Sequence, residues 1–231
     1  MHPSSFKNAE AFFSVYAKNL NNPTIVDIGA QDVNGTLKSV APKNCNYIGV
    51  DFVAGKGVDV ILDDPYKLPF ESNSIDIVIS NSCFEHSEMF WLIFLEIMRV
   101  LKPTGLFYLN VPSNGPFHRY PVDCWRFYPD SGNALVKWAN MNNNNAVLLE
   151  SFISKRYRRI WNDYVAVFLK DKGSLGLYSE RIIHIKPDLY NGILNDVNGV
   201  IKERMHPQTY SSLLHNIKAF LIKKYRSFRS K

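Results

Sequence analysis

Two aspartates stand at a spacing that could grip a nucleoside. Asp27 lies in Ile25-Val26-Asp27-Ile28-Gly29-Ala30-Gln31-Asp32-Val33-Asn34-Gly35, and Asp51 closes Asn46-Tyr47-Ile48-Gly49-Val50-Asp51. A carboxylate at a strand tip, roughly 20 residues past a glycine turn, can accept two hydrogen bonds from a ribose diol. Gly29 and Gly35 carry no Cβ, so backbone can approach a ligand closely there. A pyrophosphate site favours G-x-G-x-x-G; here Asp27 precedes the first glycine, and the second and third glycine positions of that pattern are absent. An acid in that place suits a ligand bearing a positive group. An ordinary strand-turn-helix connection would leave the same trace in this segment.

A second chemical set runs from Pro112 to Asp130 and holds His118, Arg119, Tyr120, Asp123, Trp125 and Arg126 among stiffening prolines. His118 could take a proton, with Asp123 orienting it or binding substrate. Arg119 and Arg126 could hold an acidic sugar, phosphate or pyrophosphate group. Plainer roles stand beside these: His118 as a structural hydrogen-bonder, Arg126 and Asp123 as a pair holding the loop, Glu85 and His86 as a helix start or loop support in preference to catalysis. No metal ligand set is read, and nothing in the sequence requires a metal.

These residues need a frame. Short apolar runs at Thr24–Ile28, Asn46–Val50, Ile75–Ser80 and Leu106–Val111 read as buried parallel strands. The loop after the first should open a helix whose free N–H groups face the ligand. Ser5–Leu20 reads as a helix with Ala9, Phe12, Phe13, Tyr16 and Leu20 on one face. A second helix carries Phe90, Trp91, Phe94, Leu95, Met98 and Leu101, closed by Lys102-Pro103-Thr104-Gly105. Ala146–Ser154 and Tyr164–Lys170 look like an antiparallel pair. The expected fold is α/β: a Rossmann-like, seven-stranded, mostly parallel sheet, helices on both faces, the last strand antiparallel, plus a C-terminal helical extension.

Composition narrows the classes. The 231 residues are 46% hydrophobic and 21% charged, which supports a packed core and argues against wholesale disorder. The net charge of +6 sits in the tail: residues 201–231 hold eight basic groups against Glu203 alone. The remainder is close to neutral, so nucleic acid is not an expected partner. Cys45, Cys83 and Cys124 are too far apart for a CxxC pair, and a reducing compartment is expected. No apolar run is long enough for a membrane span, and the start shows no secretory signal. Gln208–Tyr225 reads as an amphipathic basic helix, either solvated with its apolar side on the domain or docked on anionic lipid.

Further elements follow in order: Asp63-Asp64-Pro65-Tyr66-Lys67-Leu68-Pro69-Phe70, then Asn73–Ser80, Glu85-His86, and Arg99-Val100-Leu101-Lys102-Pro103-Thr104-Gly105. Residues 24–112 in this order resemble the class I S-adenosylmethionine-dependent methyltransferases. The pattern departs at Gln31 and Val33, where many members have glycine, and at Thr104. The resemblance implies S-adenosylmethionine as cofactor and S-adenosylhomocysteine as product. It implies that Asp27 and Gly29 hold the methionine end, with Gly35 closing the loop and Ala30 and Gln31 also binding the cofactor. Asp51 would bind the ribose, with Phe52 beside the adenine. Asp64, next to Asp63, would meet the adenine amino group, and Asn81 and Ser82 would line the pocket.

The stretch His118-Arg119-Tyr120-Pro121-Val122-Asp123-Cys124-Trp125-Arg126 is also similar to one in methyltransferases associated with bacterial surface-polysaccharide biosynthesis. That likeness implies a sugar or glycan-derived acceptor, O-methylated with a general base, with Tyr120 and Trp125 against a pyranose ring. Rival readings are a methyltransferase for another small molecule, a non-catalytic cofactor- or glycan-binding member of the fold, and a nicotinamide-dependent oxidoreductase, which Asp27 and Leu68-Pro69-Phe70 oppose. The expected organisation is a methyltransferase domain over 1–172 and a basic extension over 173–231. The expected place is the cytoplasm, at the inner membrane face if the tail docks. The oligomeric state is not legible.

Overall fold

Each apolar run is short, rich in Val, Ile or aromatic residues and flanked by turn residues; Thr24–Ile28, Ile75–Ser80 and Leu106–Val111 are buried along most of their length, as a sheet between two helical layers requires, and Asn46–Val50 is partly buried. The computed structural model describes residues 3–155, 161–197, 199–203 and 217. The strands are β1 (Thr24–Ile28), β2 (Asn46–Asp51), β3 (Val60–Ile61), β4 (Ile75–Asn81), β5 (Leu101–Pro112), β6 (Val147–Ser154), β7 (Asp163–Leu169) and β8 (Leu189–Leu194). They form one sheet in the order β3-β2-β1-β4-β5-β7-β6-β8. Neighbours from β3 to β5 are parallel. β7 runs antiparallel between β5 and β6, and β8 antiparallel to β6.

The Rossmann-like α/β architecture is as expected, with one strand beyond the expected seven. That addition, β8, falls in the stretch read as the C-terminal extension, so the sheet reaches into it. The helix read over Gln208–Tyr225 lies outside the described residues, apart from Ile217. No helix among the described residues is long and apolar enough to cross a membrane.

Side chains alternate between two cores. Val26, Ile28, Val78, Phe107 and Leu109 face α2 (Phe90–Val100) and α3 (Ser131–Met141). Ile25, Ile77, Ile79, Leu106 and Tyr108 face α1 (Pro3–Phe12), its π-helical continuation Phe13–Ala17, and α4 (Ile182–Ile185). Phe12 lies 4.7 Å from the Tyr108 ring. The Tyr16 hydroxyl donates to Glu150 at 2.6 Å, and Glu150 also accepts the Ile182 and Ile183 amides, tying the π-helical segment and α4 to β6.

Two expectations need correction. The loop after β1 opens no α-helix; it runs to a single 3-10 turn at Leu37–Ser39. The sheet face there is taken by α1, and a Cβ on Gly35 would lie 2.8 Å from the Phe6 ring. Nor do Lys102–Gly105 form a closing turn: α2 passes straight into β5, and these residues bulge out of the ladder, which pairs Ile75 with Leu101 and then Ile77 with Leu106. The bulge absorbs the turn residues without breaking the strand.

Strand order reverses between β1 and β4. In open α/β sheets ligands bind beyond the carboxyl ends of strands at such a switch point, and both chemical sets lie at that end.

Candidate functional site

Gly29 leaves β1 at φ +81°, and a Cβ there would sit 2.7 Å from the Cys83 Cβ. The loops after β1 and β4 therefore touch through a position only glycine fills comfortably. The Gly29 and Ala30 amides donate to the Val50 carbonyl at 2.9 and 3.2 Å, which ties the loop to β2. Asp51 ends β2; its Oδ2 accepts the Gln31 amide at 3.3 Å and its Oδ1 the Val53 amide at 3.2 Å. A carboxylate has about four acceptor positions, so both oxygens retain capacity for a diol. Phe52 next to it is exposed.

Asp32 organises the loop, a role the sequence reading missed although Asp followed three residues later by Gly is a turn signature. It accepts the Gly35 amide at 2.8 Å and pairs with Lys56 at 2.6 Å. Lys56 holds its carboxyl below the usual range. Gly35 closes the loop at φ +103°.

Asp27 is buried in β1, and its Oδ2 accepts the Tyr47 hydroxyl at 2.6 Å. Burial pushes its carboxyl up to about 7; the Tyr47 hydrogen bond opposes that, and the charge of Asp51 adds to it. Asp63 and Asp64 follow β3 on the surface, and Asp64 accepts the Tyr66 amide at 2.8 Å. At the end of β4, Asn81 is buried with Oδ1 lacking a hydrogen-bond partner, and Ser82 adopts φ +53°.

These features fit S-adenosylmethionine. The loop admits close approach, Asp51 has free acceptor capacity, and the orphaned Asn81 oxygen lies at the mouth between β1 and β4, where a bound amine or amide would satisfy it.

Residues 113–130 cross the same end of the sheet. Arg126 makes a two-pronged pair with Asp123, Nη1 to Oδ1 and Nη2 to Oδ2 at 2.5 and 2.8 Å. Arg126 also donates to the Pro116 and Trp125 carbonyls. Arg126 holds the Asp123 carboxyl down to about 2. Asp123 Oδ2 accepts the His118 amide at 2.7 Å and lies 3.6 Å from His118 Nδ1. The pair thus folds the loop around itself. Arg119 Nε donates to Pro121, and the Trp125 indole to Ser87. Tyr120, exposed, donates its hydroxyl to Gln31 Oε1 at 2.7 Å, bonding this loop to the one after β1. Beside Trp125, whose ring meets Phe90 and Trp91, an apolar hollow of about 350 Å³ opens between α2 and α3.

His118 meets two residues that the sequence reading gave supporting parts, with catalysis as the lesser alternative. Its ring lies 5.0 Å from that of His86, and Glu85, His86 and His118 each offer a ligand atom within 4.8 Å of the others. The reading of no metal set thus meets a group of possible ligands. The signal was the Glu-His pair just past the end of β4. Glu85 is fully buried, and burial raises its carboxyl to about 8. Burial lowers His86, whose Nδ1 is bonded to the Val122 carbonyl.

Residues 12–109 match the family model described as a methyltransferase domain. None of the curated proteins matches the sequence. Solved structures share the fold. The 1,6-didemethyltoxoflavin-N1-methyltransferase of Burkholderia thailandensis, with bound 1,6-didemethyltoxoflavin and S-adenosylhomocysteine, aligns at a TM-score of 0.57 and 17% identity, over 73% of this chain and 79% of its own. Phospholethanolamine N-methyltransferase 2 of Haemonchus contortus, in complex with phosphomonomethylethanolamine and S-adenosylhomocysteine, aligns at 0.54 and 13%, over 72% of this chain and 53% of its own. Likeness at these identities shows the fold, and the match to a methyltransferase domain covers residues 12–109, less than half of the chain.

Proposed function

We propose that this chain is an S-adenosylmethionine-dependent methyltransferase that O-methylates a sugar or glycan-derived acceptor. The observation that carries the reading is the bond from Tyr120 to Gln31: the loop rich in aromatic and basic groups is fastened to the loop assigned to the cofactor. An acceptor resting on Tyr120 and Trp125 would lie beside the methyl donor. Both rings are exposed at 56% and 38%, enough to stack on a pyranose face.

Bound at this site, S-adenosylmethionine would supply an activated methyl group on a positive sulfur for transfer to the acceptor oxygen. The chain's part is to align, to exclude water and to manage the proton. Asp27, Gly29, Ala30, Gln31 and Gly35 take the methionine end, Asp51 and Phe52 the ribose and adenine, Asp63 and Asp64 the adenine edge, Asn81 and Ser82 the inner wall. His118 accepts the acceptor's proton. Asp123 and Arg126 hold the loop that presents His118, and Arg119 stays available for an acidic acceptor group.

The apolar hollow between α2 and α3 favours a second acceptor class, a flat or aliphatic small molecule. The basic stretch 201–231 supports docking at anionic lipid, near a lipid-linked glycan. Methyl release assayed across sugar nucleotides, lipid-linked sugars and apolar heterocycles separates these. Transfer to sugars supports the first reading; transfer to heterocycles alone replaces it with the second.

A further inference from the structure

We propose that Glu85, His86 and His118 bind one divalent transition-metal ion of the zinc class on the acceptor side of the site. Each residue offers one ligand atom, and the atoms lie within 4.8 Å of one another. Glu85 Oε1 and His86 Nε2 are 3.7 Å apart. Ligands around a tetrahedral ion at about 2.0–2.2 Å sit about 3.4 Å from one another, so Glu85 and His86 already stand near that spacing and His118 would close inward on binding.

Three features of the group point to an ion. The Val122 carbonyl can only accept, so His86 Nδ1 must carry the proton, which leaves the lone pair on Nε2, the nitrogen that faces Glu85. A ligating histidine anchored through its other nitrogen to a carbonyl is the usual outer arrangement of a metal site. Glu85 Oε2 is buried without a hydrogen bond, and so is His118 Nδ1. The orphaned Glu85 oxygen calls for a partner, whereas His118 Nδ1 faces the Asp123 carboxylate at 3.6 Å. Finally, two imidazoles and one carboxylate form a donor set for zinc, cobalt, nickel or iron, whereas magnesium and calcium prefer oxygen alone.

Three protein ligands leave a fourth position open, the pattern of a catalytic rather than a structural ion. Water or an acceptor hydroxyl fills it. The ion lowers the pKa of that hydroxyl, its O–H bond breaks, and the proton passes to solvent. The ion thus does by Lewis acidity what the free His118 ring does by basicity. This role rests on the O-methylation reading; binding of the ion does not.

The full chain, stripped with a chelator, is titrated with zinc ion, with cobalt(II) as a visible-absorption probe and magnesium as control. The expected result is one equivalent of zinc, cobalt bands of a low-coordinate site, a raised Tm with zinc, and no response to magnesium. His118→Ala should weaken zinc binding at least tenfold; its side chain is 41% exposed, so the variant should fold. Glu85→Gln, with equal shape, should do the same. Absence of stoichiometric binding to the wild-type chain, or undiminished binding in His118→Ala, overturns the proposal. Methyl transfer is measured on the same samples: zinc bound without transfer to any sugar removes the acceptor reading and leaves the site, whereas transfer by a chain that binds no zinc removes the site alone.

Discussion

The Tyr120 hydroxyl lies 2.7 Å from the Gln31 side-chain oxygen, joining loops that leave β5 and β1. The bond is solvent-accessible and neutral, so its net worth is about 0.5–1.5 kcal/mol. Its value is geometric, because it sets the loop carrying His118 against the loop at Gly29. Tyr120→Phe should therefore weaken cofactor binding about two- to tenfold and raise the acceptor KM, with Tm nearly unchanged. Calorimetry with S-adenosylhomocysteine measures the first effect. Wild-type affinity in both Tyr120→Phe and Gln31→Ala would show that the two loops act independently.

Asp51 gives a sharper test of the cofactor assignment. Its oxygens organise the Gln31 and Val53 amides and are free to accept from a diol. Asp51→Ala removes charge-assisted hydrogen bonds worth about 1.5–3 kcal/mol each. S-adenosylhomocysteine affinity should fall about 10²-fold or more, while the fold persists, since the residue is only half-buried. An affinity within threefold of wild type would place the ribose elsewhere.

Much of this was legible because strands and loops announce themselves locally. Ile25–Ile28 and Ile75–Ser80 are apolar, β-branched and bounded, and both are central strands. Asp27, Gly29 and Asp51 fall at the carboxyl ends because the strand pattern puts them there. The missing helix after β1 was not legible, since its place is taken by α1, whose contact with Gly35 spans some thirty residues of sequence. Nor was α3, whose buried positions are only Gly132, Leu135 and Ala139. The grouping of Glu85, His86 and His118 depends on how residues 113–130 double back, and the two-pronged Arg126–Asp123 pair that sets this path is a tertiary fact.

The buried carboxyl of Asp27 makes a pH prediction. Its folded pKa, about 7, is raised from an ordinary value of 3.8. The protonated form is thus favoured by folding, and the stability it contributes is full below pH 4 and is lost as pH rises through 7. Asp27→Asn should equal wild type in stability at low pH and exceed it at pH 8. A cationic ligand group nearby favours the ionised form, so cofactor affinity should rise about tenfold between pH 6 and pH 8, with proton release on binding. Asp27→Asn should flatten that profile. Titration in buffers of different ionisation enthalpy measures the released proton, and a flat wild-type profile would separate Asp27 from the ligand.

His118 and Asp123 divide the labour of their loop in a way kinetics can resolve. Asp123 is held ionised by Arg126 and accepts the His118 amide, so it fixes backbone. The His118 ring is 41% exposed and can act on an acceptor, directly or through an ion. His118→Ala should lower kcat by about 10²–10⁴ while S-adenosylhomocysteine affinity stays within twofold. Asp123→Asn weakens the two-pronged pair and should raise the acceptor KM and lower Tm as well, since Arg126 then loses its charged partner. Steady-state rates and calorimetry on the two variants separate chemistry from loop order. If kcat in His118→Ala equals wild type, the ring has no part in proton removal, and Glu85, buried with a carboxyl near 8, becomes the group to replace next.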